Sequence, residues 1–153
     1  MIFRRVYLSL FLFLLLPNCK KDGNVKTIEI NGNKVKVEIA DTPGERLLGL
    51  QGRDTLPPNY GMLFVFPDEK RREFWMFRCK FDIDLAYIDA SGIIREIITM
   101  KKEPPIRPID SLKSYPSHSS RIKFALEVMG GWFLANGVQV GTQIDLRRFY
   151  ALY

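Results

Sequence analysis

Residues 61–89 decide the fold, and they read GMLFVFPDEKRREFWMFRCKFDIDLAYID. They contain three short apolar runs, at 61–66, 74–77 and 85–88, separated by a charged loop and by a bend that carries aspartates. Runs of this length, rich in Phe, Trp, Val, Ile and Tyr and bounded by Pro, Asp and Gly, are typical of buried strands rather than helices. The centre of the chain therefore predicts a β-rich core.

Further strand signals lie on both sides of this stretch. Upstream, the Asn-Gly pair at 31–32 separates two apolar segments and favours a hairpin, because both residues tolerate positive φ. Downstream, apolar and polar residues alternate over 122–128, which is the clearest strand pattern in the chain. Strands are predicted at 25–30, 35–40, 61–66, 74–77, 85–88, 93–100, 122–128 and 142–146.

A short helix is predicted between the second and third of these strands. Thr42 can cap it, Pro43 suits the first helical position, and Glu45 can complete a capping box. We expect this helix to end near Gly52 and to direct three leucines toward the core, namely Leu47, Leu48 and Leu50. Residues 132–136 predict one or two more helical turns, ahead of a glycine that suits a C-terminal cap.

Residues 101–120 contain four prolines and therefore offer few backbone donors to a sheet. They predict a long surface loop, and loops of ~15 residues or more are often binding or lid segments. Together these patterns predict a mainly β domain, a β-rich α+β fold. We expect a small compact barrel or sandwich of about seven or eight short strands with one or two short helices.

Composition excludes several classes of protein. The chain has 153 residues, of which 46% are hydrophobic and 12% aromatic. This is enough apolar side chain for one folded domain and too much for a disordered chain. The net charge is +6, but the basic runs at 70–72, 101–102 and 147–148 are scattered rather than gathered in one stripe. We therefore expect no nucleic-acid partner.

The N-terminus has the pattern of an export signal. Arg4 and Arg5 precede an apolar run at 6–16. This run fits the ~7–15 residues of a signal-peptide core and is shorter than the ~20 residues of a membrane span. The segment LPNC at 16–19 resembles the lipobox of bacterial lipoproteins, in which the cysteine is acylated and becomes the mature N-terminus. The lipobox prefers small residues where this chain has Pro and Asn.

The resemblance to lipoproteins implies a division of the chain and a location. Residues 1–19 would be the signal peptide with Cys19 as the lipidation site, 20–24 a tether, 25–148 a single β-rich domain and 149–153 a C-terminal tail. Acyl chains such as palmitate would anchor the domain to a membrane of the cell envelope, facing the periplasm or the cell surface. Without lipid on Cys19, the protein would be secreted.

Motifs of the mature chain resemble a widespread prokaryotic family known as domain of unknown function 192. The matching pieces are Arg46-x-x-Gly49-Leu50-x-x-Arg53, Gly61-Met62-Leu63-Phe64-x-Phe66, Phe74-Trp75-Met76, Asp84-Leu85-x-Tyr87-Ile88-Asp89 and Leu126-Glu127-x-x-x-Gly131-Trp132, ahead of Asn136-Gly137-Val138 and Gly141. The resemblance implies a small, compact, mostly β domain and supplies no reaction. Where the family continues Lys-Asn-Thr after Phe-Trp-Met, this chain has Phe77-Arg78-Cys79.

Asp82 and Asp84 are the first candidates for chemistry. Because they are two residues apart, they face the same side of an extended strand and could bind Ca²⁺ or act as an acid–base pair. The alternative is a role in a turn, or in an ion pair with Arg53 or Arg78. Too few oxygen ligands surround the aspartates in sequence for calcium, so we predict no metal and no cofactor.

Two further candidates have weaker signals. Cys79 and His118 are the only Cys and His of the presumed mature domain apart from the lipid-bearing residue, but no catalytic signature surrounds either one. The aromatic pairs at 74–75 and 132–133 could form an exposed platform for sugar rings, although aromatic residues in strands more often fill cores.

These observations favour a non-catalytic envelope lipoprotein that binds a ligand or a partner. The binding surface is predicted at the 67–73 loop, the 78–84 bend and the 101–120 loop, where it would hold a saccharide or an envelope protein. The candidate ligand-binding residues are Arg53, Trp75, Arg78, Asp82 and Asp84. Two alternatives remain open: a small envelope hydrolase with Asp82 or Asp84 as base, and a structural or assembly factor.

Overall fold

Strands dominate residues 24–104 and 111–152, which the computed structural model describes. The strands in this part of the chain are β1 (Val25–Ile30), β2 (Asn33–Ala40), β3 (Tyr60–Lys70), β4 (Glu73–Phe74), β5 (Ile83–Ile88), β6 (Ile94–Met100), β7 (Tyr115–Pro116) and β8 (Ile122–Met129). The helices are α1 (Pro43–Leu48), α2 (Trp132–Ala135) and a C-terminal 3-10 helix (Arg147–Leu152). The predicted mainly β fold is confirmed. The predicted signal peptide, Cys19 and most of the tether lie outside the described residues.

Six strands form one large sheet in the order β1-β2-β3-β8-β5-β6, and β4 pairs with β7 in a second, two-stranded sheet. The pair β2–β3 is parallel, and the other neighbours are antiparallel. The large sheet is open, with β1 and β6 at its edges, so the sandwich alternative is confirmed and the closed barrel is wrong. Among the described residues, no helix is long and apolar enough to cross a membrane.

The central strands of the large sheet are buried on both faces, which explains their uninterrupted apolar runs. One face is covered by α2 and the chain that follows it, through Trp132, Phe133, Val138, Ile144, Leu146 and Phe149. The opposite face is covered by the segments after α1 and around β4 and β7, through Leu50, Leu56, Phe74, Met76, Cys79 and Tyr115.

The start of α1 is the one that the sequence predicts, but its end is not. The Thr42 hydroxyl accepts a hydrogen bond from the Glu45 amide at 3.2 Å, and the Glu45 carboxylate accepts one from the Thr42 amide at 3.0 Å. The helix stops at Leu48 because Gly49 adopts a positive φ of 50°. Leu50 is therefore turned into the core, whereas Leu47 and Leu48, which we expected to be buried with it, are exposed.

Two segments differ from the predicted strands near the middle of the chain. β3 passes through an irregularity after Val65 and continues to Lys70, so the first part of the predicted 67–73 loop is strand. The predicted strand at 74–77 is reduced to the two residues of β4, which pair with β7 inside the predicted 101–120 loop. A strand of two residues is too short to show an alternation of apolar and polar residues in the sequence.

The C-terminal segment also differs from the prediction. Residues 142–146 form no strand and touch the sheet through an isolated bridge between Ile93 and Gln143. The 3-10 helix that follows places Phe149 in the core, with 3% of its surface exposed. The packed domain therefore extends past the predicted boundary at residue 148.

We expect Gly61→Ala to lower the free energy of unfolding by about 1–3 kcal/mol, the usual cost of overpacking. A Cβ at residue 61 would lie 2.3 Å from the backbone oxygen of Glu127 on β8, which cannot move without distorting the central strand pair. Urea denaturation followed by circular dichroism measures the change. Gly44→Ala is the matched control, because its Cβ enters open space in α1 and should raise helix stability by up to about 1 kcal/mol. Equal stability of the two variants would contradict this account.

Candidate functional site

A cleft of about 570 Å³ opens on the face of the sheet that carries α1. Its base is formed by three buried aromatic rings and by one acid, namely Phe64, Phe66, Phe74 and Glu127. Its rim includes Leu47, Leu48 and Trp75, which are 64%, 61% and 41% exposed. We refer to it as the Glu127 cleft. An exposed apolar rim over a polar group at the base is the usual composition of a ligand site.

The strand register places the Glu127 side chain at the base of this cleft. β8 lies between β3 and β5, so Glu127 is flanked by Met62 on one side and Leu85 on the other. The turn after α1 passes directly above, because a Cβ added to Gly49 would lie 3.6 Å from the Phe64 ring and 4.0 Å from Glu127 Oε2. The Gly49 turn therefore leaves room over the carboxyl group.

Glu127 is unusual for a buried acid. Only 4% of its surface is exposed, and its carboxyl group makes no hydrogen bond to any residue of the described ranges. Burial raises the pKa of Glu127 to about 8 from the ordinary 4.5, and the positive charge of Arg53 opposes this rise only in part. The carboxyl group is therefore largely protonated at neutral pH and can donate an O–H to a ligand oxygen.

Cys79 lies in the wall of the same cleft, with 8% of its surface exposed. Burial, together with the nearby Glu127, raises the pKa of Cys79 to about 12. The thiol is therefore protonated and is a poor nucleophile. The structure does not bring His118 to it, because the highly exposed ring of His118 lies with its Nδ1 2.8 Å from Glu96 Oε2.

Arg72 supplies a second polar group without a full set of partners at this cleft. Its guanidinium lies 4.0 Å from the centroid of the Phe66 ring, and its Nη2 donates to Asp68 Oδ1 at 2.7 Å. Its Nε is buried and has no hydrogen-bond partner in the described part of the chain. A buried polar atom without a partner is uncommon, and Arg72 lines the same cleft as Glu127, whose carboxyl group makes no hydrogen bond within the described residues.

Three of the five predicted ligand-binding residues are engaged by protein partners away from the Glu127 cleft. Arg53 makes a bidentate ion pair with Glu38, at 2.5 and 2.7 Å. Asp82 accepts from Lys101 Nζ at 2.8 Å and from the amide of the next residue at 2.9 Å. Neither Asp82 nor Asp84 pairs with Arg53 or Arg78, so the ion pair that the sequence left open as an alternative is not formed.

Asp84 acts as an acceptor inside the fold. It is 3% exposed and accepts hydrogen bonds from the Thr99 hydroxyl at 2.7 Å and from the Gly131 amide at 2.9 Å. These bonds tie β5 to β6 and to the start of α2. Of the predicted aromatic platforms, three rings are buried and only Trp75 is exposed, at the rim of the Glu127 cleft.

Arg78 lines a neighbouring cleft of about 740 Å³ together with Lys80 and Lys102, and we refer to this as the basic cleft. Three residues line both clefts, namely Leu48, Gln51 and Cys79. The predicted residues Trp75 and Arg78 are thus placed in two adjoining clefts. The Glu127 cleft also contains charged residues, among them Asp68, which pairs with both Lys70 and Arg72.

Reasoning from the sequence missed Glu127 as a site residue. The alternation over 122–128 indicated a strand without showing its place in the sheet, and β8 is a central strand with both faces covered. The sequence signal that could have identified Glu127 was an acidic residue in a strand that belongs to the core of the sheet. Residues 126–127 also formed one of the motifs on which the family resemblance was based.

Comparison with known proteins agrees with this fold. The model of the family DUF192, described as Uncharacterized ACR, matches residues 26–146. The chain belongs to this family. The motif residues Gly49, Phe74, Trp75 and Glu127 all line the Glu127 cleft. Among the curated proteins, none matches the chain significantly.

Two crystal structures are similar to this domain. One is of a candidate transcription regulator from Sinorhizobium meliloti 1021, with a TM-score of 0.64 and 26% sequence identity over 79% of this chain and 90% of that chain. The other is of a protein of unknown function from Novosphingobium aromaticivorans DSM 12444, with a TM-score of 0.67 and 20% identity over 79% of this chain and 84% of that chain. The second likeness concerns the fold alone.

Glu127→Gln should flatten the pH dependence of stability. Because folding raises the pKa of Glu127 from 4.5 to about 8, its stabilising contribution is complete below pH 4.5 and is lost as the pH rises to about 8. We expect wild type and variant to be similarly stable near the lower limit. As the pH rises from there toward about 8, the free energy of unfolding of the variant should increase relative to that of the wild type by on the order of 1 kcal/mol for each pH unit.

Urea denaturation at a series of pH values measures this difference. Glu29→Gln is the matched control, because Glu29 carries the same side chain at an exposed position on β1. The control should leave the pH profile unchanged. Parallel profiles for wild type and Glu127→Gln would contradict a protonated carboxyl group at the base of the cleft.

Proposed function

We propose that this protein is a non-catalytic envelope lipoprotein whose β domain binds a small ligand in the Glu127 cleft. The observation that carries the proposal is the buried carboxyl group of Glu127, which has no hydrogen-bond partner in the described residues and lies below an exposed apolar rim. Leaving such a group unpaired costs about 1–3 kcal/mol, and a ligand that bonds to it recovers this free energy. The exposed rim is covered by the same ligand.

Binding is favoured over hydrolysis by the state of the candidate catalytic groups. Asp82 and Asp84, the bases of the alternative hydrolase, are both held by protein donors. Cys79 is kept as a thiol by its raised pKa, of about 12. Glu127 alone could act as a general acid, but a hydrolase also needs a nucleophile or a base at the ligand, and Asp82, Asp84 and Cys79 are not free for that role.

The chemistry of the cleft suits a ligand with a ring or chain and with polar oxygens. Trp75 can stack on a sugar ring, and the protonated Glu127 can donate to an ether, carbonyl or hydroxyl oxygen. A saccharide of the envelope fits this description, and an apolar segment of an envelope protein is the alternative occupant. Nucleic-acid binding, as in a transcription regulator, is not favoured, because basic residues such as Arg53 and Arg72 form ion pairs within the domain.

The proposed location follows from the N-terminal pattern. Lipid on Cys19 would hold the domain at a membrane of the envelope, facing the periplasm or the cell surface, through the tether at 20–24. β1 begins at Val25, so a fully extended tether spans roughly 17 Å. The cleft would then stay close to the membrane surface, where envelope components are concentrated.

Native mass spectrometry can test ligand binding even though the ligand is unidentified. The purified domain is incubated with an extract of the envelope, and we expect a non-covalent small-molecule adduct on the wild type. Trp75→Ala and Glu127→Leu should lose the adduct, because they remove the stacking ring and the hydrogen-bonding group. Leu134→Ala is the control, since Leu134 is an exposed apolar residue on α2 outside the lining of the Glu127 cleft. The same adduct on all four proteins would contradict binding in this cleft.

The intact mass of the protein from its native membrane tests the anchor. We expect the mass of residues 19–153 with a diacylglycerol and one further acyl chain. Cys19→Ser should abolish the lipid and release the domain from the membrane. A bare cleaved chain in the wild type would refute the lipoprotein proposal and indicate a secreted protein.

A further inference from the structure

We propose that the ligand of the Glu127 cleft is an acidic amphiphile, a small molecule whose apolar part lies in that cleft and whose carboxylate or phosphate lies in the basic cleft. This inference rests on the proposed function, to which it adds the charge and polarity of the ligand. It concerns Arg78 and Lys102, which the Glu127 cleft does not include.

The two clefts adjoin, so one molecule can occupy both. Leu48, Gln51 and Cys79 line the Glu127 cleft on one side and the basic cleft on the other. Leu48 is largely exposed, and the buried Cys79 adds a second apolar surface at the same place. A ligand that extends from one cleft to the other therefore crosses an apolar surface before it reaches the charged end.

The basic cleft carries positive charge that the described residues offset only in part, because Asp82, which interacts electrostatically with Lys102, is already paired with Lys101. Within the described residues, neither the guanidinium of Arg78 nor the ammonium of Lys102 makes an ion pair or a hydrogen bond. Arg78 lies 5.6 Å above the ring of Phe77. Lys80 pairs with Asp54 at 2.6 Å, but both side chains are mostly exposed, and solvent weakens such a pair. The acid in this cleft, Glu103, accepts a hydrogen bond from the Lys113 amide at 3.0 Å.

The backbone conformation of Arg78 supports a role of its side chain in binding. Arg78 adopts a positive φ of 55°, a region that residues other than glycine and asparagine rarely occupy. Its carbonyl accepts a hydrogen bond from the Gly52 amide at 3.0 Å, which holds the turn in place. An arginine that adopts an unfavourable backbone conformation at the edge of a cleft is a reason to look for a function of its side chain.

The acid in the Glu127 cleft, Glu127 itself, is compatible with an anionic ligand that extends into the basic cleft. A carboxylate at the base of the Glu127 cleft would repel a negative charge, but burial keeps the Glu127 carboxyl group largely protonated at neutral pH. Charge complementarity therefore favours an anion at the Arg78 end and a neutral hydrogen-bonding atom at the Glu127 end.

Three probes separate the contributions of the apolar part and the charge. Decyl phosphate has both, decyl maltoside has the same chain with an uncharged sugar head, and inorganic phosphate has the charge alone. Calorimetric titration should show decyl phosphate binding at least about tenfold more tightly than decyl maltoside. Tryptophan fluorescence is a second readout, and the part of its change that Trp75→Ala removes reports on Trp75, because the chain also contains Trp132. Inorganic phosphate alone should give no measurable binding.

Matched variants test which residues bind the charged group of the ligand. Arg78→Asn with Lys102→Gln removes two positive charges, and asparagine tolerates the positive φ of residue 78. We expect this pair to reduce the affinity for decyl phosphate about tenfold or more and to leave decyl maltoside binding unchanged. Lys26→Gln with Lys34→Gln makes the same change of charge at exposed positions on β1 and β2, and it should alter neither affinity.

Each outcome bears on a different part of the proposal. Equal or tighter binding of decyl maltoside by the wild type, or an unchanged affinity of the Arg78 and Lys102 variant for decyl phosphate, would overturn the acidic ligand. The ligand-binding function of the Glu127 cleft would survive that result. If neither alkyl probe changes Trp75 fluorescence, both the acidic ligand and the proposed binding in this cleft fail.

Discussion

The pairing of β3 with β8 is the constraint on which the rest of the domain depends. Gly61 approaches the backbone of Glu127 so closely that a side chain has no room there, and this contact fixes the register at the centre of the large sheet. With β8 held between β3 and β5, the packing on the two faces follows from the register. The same register puts an acid between Met62 and Leu85, where only a ligand or an internal donor could satisfy it.

The sequence predicts the central strands well because they are buried on both faces. Their apolar runs are short and continuous, so β3, β5 and β8 are visible before the topology is determined. The start of α1 is visible because a capping box is a local chemical pattern. The two-residue strands β4 and β7 and the irregular segment at 142–146 escape prediction, because they depend on which residues lie across from them in space.

The candidate site was harder to predict for a related reason. Sequence patterns identify polar residues but not whether the fold supplies partners for them. Asp84 and Arg53 proved to be satisfied by Thr99 and Glu38, whereas Glu127, which the sequence placed only on a predicted strand, has no such partner among the described residues. Trp75 and Arg78 were named as candidate ligand-binding residues, but only the folded chain assigns them to two adjoining clefts.

The parallel pairing of β2 with β3 has a consequence for access to the Glu127 cleft. Two parallel neighbours need a crossover connection, and here the crossover includes α1, none of whose residues is buried. Arg46 fastens this helix to β3 through a hydrogen bond to the Val65 carbonyl. The wall of the cleft formed by α1 can therefore move outward by local opening, while the strand pairs of the sheet remain intact. A ligand bound in the cleft as proposed would therefore enter and leave without unfolding of the core.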